Sequence, residues 1–166
     1  QTTGVASVAS SGTVSPMQAR RVSSAICGRP CNTTRSVSLT LATSARLAVS
    51  VRADIALMER VFQNLIDNAL RHAPQGGAVG IAIEPDQQEL RVSVTDNGSG
   101  IAKEHLAHVF ERFWRASDLP GGCGLGLAII AEIARRHGGQ ASAALVQPHG
   151  LRVRIELPRV AGSTPR

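Results

Sequence analysis

From residue 37 onward the apolar positions of this chain fall into runs whose period switches between two and about 3.6. Val37, Leu39 and Leu41, then Leu47, Val49 and Val51, alternate with polar or small residues, which predicts two short strands. Asp54 offers an N-cap for a helix starting at Ile55. Ile55, Met58, Phe62, Leu65 and Ala69, with Val61, Ile66 and Leu70 beside them, mark the broad core face of that helix, which Pro74 and Gly76-Gly77 bring to an end. Residues 79–84 and 90–95 alternate again around Pro85-Asp86-Gln87-Gln88, a hairpin with Ile81, Ile83, Val92 and Val94 facing inward. A short helix over 102–110 and a second over about 125–137 come next, the latter stopped by Gly138-Gly139. Strands over 141–147 and 151–157, turning at Pro148-His149-Gly150, complete the pattern.

Helices mixed with hairpin strands predict a two-layer α/β sandwich, helices on one face of a mixed, largely antiparallel sheet. The length suits one compact domain, placed at 38–160, with a short tail at 161–166. Residues 1–37 carry Ser, Thr, Ala, Gly and Arg with no period that persists, and are expected to be flexible or irregular.

Charge changes this picture little once it is located. Most of the net +6 resides in the first 50 residues, which hold five arginines and no Asp or Glu; beyond them 13 basic residues face 12 acidic ones. Basic residues are nowhere interleaved with aromatics, which speaks against a nucleic-acid interface. No apolar run approaches the roughly 20 residues of a membrane span, and no secretory leader is visible, so direct membrane insertion by this chain is not expected. Cys27, Cys31 and Cys123 form neither an even disulfide set nor a zinc-spaced quartet, as expected of thiols in a reducing compartment.

Candidate chemistry gathers at three places. Asn64 and Asn68 stand one helical turn apart on one edge of an otherwise apolar helix, beside Asp67 and Arg71. Two carboxamides aimed at one spot either face water or serve a polar ligand. Asp96 ends a strand and precedes Asn97-Gly98-Ser99-Gly100, where ordinary turn chemistry competes with a carboxylate reading an exocyclic amine such as that of adenine. Gly122, Gly124 and Gly126 lie directly before a helix, where free amides and the helix dipole favour phosphate. The single lysine, Lys103, is followed by Glu104, which excludes a GxxxxGK[ST] phosphate loop and the lysine strand of eukaryotic-type protein kinases. A polar stretch before the glycines excludes a dinucleotide fingerprint.

Together these stretches resemble the catalytic, ATP-binding domain of bacterial two-component sensor histidine kinases. NLIDNALRHAP is similar to that family's asparagine box, DNGSGI to its first glycine box, FERFWR to its phenylalanine box and GGCGLGLAI to its second glycine box. The resemblance runs from about Val51 to Pro158 and implies the Bergerat ATP-binding fold, with ATP under a mobile lid. It implies that Asn64 and Asn68 hold Mg²⁺, with Asn64 and Arg115 in catalytic positions and Arg71 and His72 near the phosphates. Asp96 would read adenine, Gly98, Gly100 and Ile101 would leave room for the base, and Gly122, Gly124, Leu125, Gly126 and Leu127 would shape the lid and its hinge. Phe110, Phe113 and Trp114 would pack the base of the lid.

The chain departs from the family pattern in two respects. Its lid, 116–120, is short and lacks further basic residues, and none of its five histidines has an H-E-x-x-x-P-like context. The implied phosphoacceptor is therefore a histidine on a separate dimerisation domain, feeding a response regulator, in a cytoplasmic part of a membrane-bound sensor. His105 and His108 are expected to face solvent and His137 to sit at a helix C-terminus. Three alternatives stay open: an ATPase of the same superfamily, a serine kinase of the anti-sigma type, and a nucleotide-binding module without chemistry. Hydrolytic relatives place a glutamate where Asn64 stands, with Glu59 a less well aligned substitute here.

Overall fold

The computed structural model describes residues 4–8, 38–43, 49–116 and 123–160. In chain order the elements are β1 (Gly4–Val8), β2 (Ser38–Thr43), β3 (Val49–Ala53), α1 (Ile55–His72), β4 (Ala78–Pro85), β5 (Glu89–Asp96), a 3₁₀ turn (Lys103–Ala107), α2 (Gly126–Arg136), β6 (Gln140–Leu145) and β7 (Leu151–Pro158). Five strands form one sheet in the order β2-β4-β5-β7-β6. Among the described strands of this sheet only β2 and β4 run parallel; the other pairs are antiparallel. The architecture is the predicted α/β sandwich with a mixed, largely antiparallel sheet.

Period two explains the layering. Register pairs Ile81 with Val94, Ile83 with Val92, Val92 with Ile155 and Val94 with Val153, so one face of the sheet is a continuous apolar surface. Val61, Leu65 and Ala69 of α1 and Ile130 and Ile133 of α2 complete the buried core on that face. The opposite face carries Ser93, Thr95, Arg152 and Arg154 around a shallow cavity of about 180 Å³, away from both helices.

α1 starts where the sequence predicts. The Asp54 side chain accepts from the Leu57 amide at 3.1 Å, and Ala73 ends the helix in an extended conformation. Its core stripe is narrower than expected, however. Ile55 is 57% exposed and Phe62 38% exposed, because the fully buried row of α1 is Val61, Leu65 and Ala69 and the flanking row lies outside it. Across the sandwich, His137 ties the helices together: its Nδ1 bonds the Ile133 carbonyl at 2.8 Å, and its Nε2 accepts from the Asp54 amide at 3.1 Å. The histidine expected at the C-terminus of α2 thus docks that helix onto the start of α1.

Two further expectations change. The stretch 102–110 is a 3₁₀ turn limited to Lys103–Ala107, held by His105 N–H to the Ala102 carbonyl and lacking a side-chain cap. Within residues 1–37, Gly4–Val8 is a strand, antiparallel to β3 in a separate two-stranded sheet. Five residues are too few to show a period in the sequence, and the backbone groups of β3 supply the pairing that composition does not reveal. The remainder of that segment, Cys27 and Cys31 included, lies outside the described residues, as does the tail at 161–166.

Candidate functional site

The C-terminal half of α1, the end of β5 and the N-terminus of α2 converge at one edge of the sandwich. Asn64 and Asn68 are both half-buried on α1. Asn64 spends its amide on its own helix, Nδ2 donating to the Arg60 carbonyl at 2.9 Å. Its Oδ1 is thereby turned toward α2, where a Cβ added at Gly126 would lie 3.3 Å from it. A glycine at the first position of α2 lets that helix end approach the carboxamide oxygen. Asn68, one turn on, makes no side-chain hydrogen bond among the described residues.

α2 begins without a side-chain cap at Leu125, so the amides of its first turn have no side-chain acceptor among the described residues. Those N–H groups and the helix dipole present partial positive charge beside the two carboxamides. Leu127 and Ile101 are half-buried and pack against the core, holding the two glycine segments to the sandwich. Gly124 has φ +66°, and a Cβ there would lie 2.6 Å from the Phe113 carbonyl carbon, while Phe113 N–H donates to the Gly124 carbonyl at 2.8 Å. Gly124 therefore clamps the start of α2 to the phenylalanine box. Gly122 and residues 117–120 of the expected lid lie outside the described residues.

Asp96 is 3% exposed at the end of β5. Its Oδ1 accepts from the Gly98 amide at 2.9 Å, an Asx-type turn. Its Oδ2 makes no hydrogen bond among the described residues. Oδ2 is not fully enclosed either, since Arg154 Nε is the sole sealed, unpartnered side-chain atom among the described residues. The result is a carboxylate fixed by one oxygen and presenting the other. Gly98 is required by space: a Cβ would lie 2.3 Å from the His72 carbonyl oxygen. Gly100, with φ +69°, lies against Gly150.

The structure thus brings together Asn64, Asn68, Asp96, Gly98, Gly100, Gly124 and Gly126. Arg71, His72 and Arg115 have exposed side chains, and His72 contributes its backbone carbonyl to the loop wall. The phenylalanine box divides. Phe110 packs against the core and Trp114 sets its ring edge-on to His105 at 5.4 Å, but Phe113 is 70% exposed with φ +66°. Its backbone serves the clamp to Gly124, and its ring stands in solvent. His105 is half-buried by that ring contact, not solvent-facing; His108 is exposed and pairs with Glu111 at 2.7 Å.

Sequence reasoning missed three contributors. Asn97 Oδ1 accepts from the Ala78 amide at 2.8 Å and pins the loop to β4. His149 Nδ1 lies 2.9 Å from the Gly98 carbonyl oxygen, and Gly150 stands directly against Asp96. In the sequence the last two are legible only as a turn.

Residues 53–161 match the family of histidine kinase-, DNA gyrase B-, and HSP90-like ATPases. The chain is 37% identical over 113 residues to the sensor protein CreC of Escherichia coli, covering 67% of this chain and 24% of that protein. It is 38% identical over 114 residues to the sensor histidine kinase WalK of Bacillus subtilis, covering 65% and 19% respectively. The chain thus spans a quarter or less of the length of these relatives. Among solved structures, the mycobacterial sensor histidine kinase MprB superposes with a TM-score of 0.67 at 31% identity, over 74% of this chain and 84% of that one. The catalytic domain of the histidine kinase ThkA gives 0.66 at 27% identity, over 74% and 80%. With the family model spanning residues 53–161, the stretch that holds the asparagine, glycine and phenylalanine boxes, the chain belongs to the histidine kinase-, DNA gyrase B-, and HSP90-like ATPase family, as the ATP-binding catalytic domain of a sensor histidine kinase.

Proposed function

We propose that this domain binds Mg·ATP at the edge formed by α1, β5 and α2 and transfers its γ-phosphoryl group to a histidine on a separate dimerisation domain. That histidine would in turn feed a response regulator. The observation that carries the reading is Asn64, a carboxamide whose oxygen faces the uncapped start of α2. The sugar and base would extend toward Asp96, whose Oδ2 would accept from the adenine amine. The phosphates would meet the first-turn amides of α2.

Among the described residues no three His, Cys, Asp or Glu side chains gather where they could hold a metal ion. A divalent cation at this edge would therefore rest on carboxamide oxygens and the phosphates, an arrangement that suits magnesium's preference for few protein oxygens. Asn64 Oδ1 and the unpartnered Asn68 side chain would hold it, and it would offset phosphate charge. Asn64, Asn68 and the α2 amides position the triphosphate, and Arg115 supplies a cation near the lid. In the transfer, a neutral imidazole nitrogen of the partner domain forms the new N–P bond as the bond to the ADP oxygen breaks.

This chemistry needs no base to activate water. Asn64 offers none, and Glu59 is exposed on α1 more than a turn away. We assign residues 38–160 as the working unit, part of a longer sensor whose cytoplasmic face it would occupy. No described helix is long and apolar enough to cross a membrane.

The purified chain should bind ATP, turn it over negligibly and leave its own five histidines unlabelled. Mixed with the dimerisation domain of a related sensor kinase, it should place an acid-labile phosphate on that domain's histidine, and Asn68→Ala should abolish the label without unfolding the chain. Sustained hydrolysis by the isolated chain, lost in Glu59→Ala, would replace the kinase reading with an ATPase.

A further inference from the structure

We infer that His149, in the turn between β6 and β7, is a positioning residue for the nucleotide base: its imidazole fixes Gly98 and, through Gly98, the carboxylate of Asp96. This rests on the reading of Asp96 as the group that meets the adenine amine.

Gly98 is tied from both sides of its own backbone. Its N–H donates to Asp96 Oδ1 at 2.9 Å, and its carbonyl accepts from His149 Nδ1 at 2.9 Å. A carbonyl oxygen carries no proton, so Nδ1 is the protonated nitrogen in this contact. The relay matters because of where it ends. With Oδ1 engaged by Gly98, Asp96 can rotate little without breaking that bond, and Oδ2 keeps one direction toward the ligand. Loosening Gly98 frees the carboxylate.

The rest of the turn serves the same grip. A Cβ on Gly150 would lie 2.0 Å from the Asp96 carbonyl oxygen, and Gly150 has φ +126°, so the turn presses on Asp96 where side chains are not accommodated. The Val146 amide donates to the Gly150 carbonyl at 3.2 Å and closes the turn. Across the loop, the His72 carbonyl approaches Gly98 from the end of α1. Residues 97–100 are thus held between α1 and the β6–β7 turn, and His149 is the side chain through which that turn reaches Gly98. The residue is itself exposed, so its removal opens no core cavity.

Calorimetry on the full chain tests this with ATP, GTP and inorganic tripolyphosphate. Wild-type protein should prefer ATP over GTP by about tenfold or more. His149→Ala should weaken ATP about tenfold, shrink the preference, and leave tripolyphosphate affinity and the thermal midpoint unchanged. His149→Asn, whose amide nitrogen can occupy the place of Nδ1, should restore both affinity and preference. Wild-type affinity and preference in His149→Ala would overturn the assignment while leaving Asp96 as base reader. Equal loss of tripolyphosphate binding, or loss of the fold, would make the contact merely structural and overturn it too. No preference in the wild type would remove Asp96 as base reader, and His149's role with it.

Discussion

Gly98 and Gly80 carry the same residue type under opposite constraints. A methyl group on Gly98 would meet the His72 carbonyl oxygen at 2.3 Å and Asp96 Oδ1 at 2.9 Å, whereas nothing lies within 4 Å of one on Gly80 in β4. Gly98→Ala should therefore push the loop off α1, destabilise the protein by about 1–3 kcal/mol and weaken ATP binding. Gly80→Ala should stabilise by up to about 1 kcal/mol, since alanine loses less backbone freedom on folding. Denaturant midpoints and nucleotide affinities of the two variants check the pair; equal effects would mean that the close approach at Gly98 is not what constrains it. At this scale the sequence shows which residue types are present but not which of them are cramped. DNGSGI displays two glycines alike, and only the neighbouring His72 and Gly150 backbones distinguish their duties.

The elements were legible wherever a period persisted. Eighteen residues of α1 and the hairpin of β4 and β5 run close to their expected bounds, because helix and strand periods repeat several times there. The error lay in the width of the helix face. Phe62 stands beside Val61 and Leu65 in the pattern, yet only the central row is buried, and Phe62 is left 38% exposed while Leu65 is 1% exposed. Leu65→Ala should cost about 2–5 kcal/mol, against under about 1 kcal/mol for Phe62→Ala. Similar losses from both would return Phe62 to the core face. The short 3₁₀ turn and β1 escape the pattern for a different reason: fewer than two repeats of a period leave propensity to decide, and tertiary pairing overrides it.

At the level of the whole molecule, resistance to acid draws on carboxylates outside the site. Asp86 accepts from the Gln88 and Glu89 amides in the β4–β5 turn, and these bonds, followed by Arg91 and Arg159 nearby, hold its carboxyl below the ordinary 3.8. On α2, hydrogen bonds from Arg136 and then Arg135 hold Glu132 below 4.5. In both cases the folded pKa lies under the unfolded one. The stability they lend is therefore complete above the unfolded values and disappears as pH falls through the folded ones. An Asp86→Asn/Glu132→Gln protein should show a shallower acid limb below about pH 4.5, and salt should narrow the difference because these groups are reached by solvent. Superimposable limbs in denaturant titrations from about pH 6 to about pH 3 would show that neither carboxylate contributes.

By itself the sequence determined the sandwich and the family. Alternation and helical spacing are local properties that survive in a string of letters, and four boxes in order leave little room for another ATP site. The placement of a carboxamide pair before two glycine loops was legible for the same reason. What only the tertiary structure decided is how those loops are held. The clamp of Gly124 on Phe113, the docking of His137 between the helices and the grip of His149 and Gly150 on the Asp96 loop join residues 11, 83 and about 50 positions apart. The last of these arises because β5, β6 and β7 align at one end of the sheet, and no period in the chain encodes a meeting between turns. Each of these contacts has a backbone group on at least one side, so the pattern of side chains along the chain did not show where they would form.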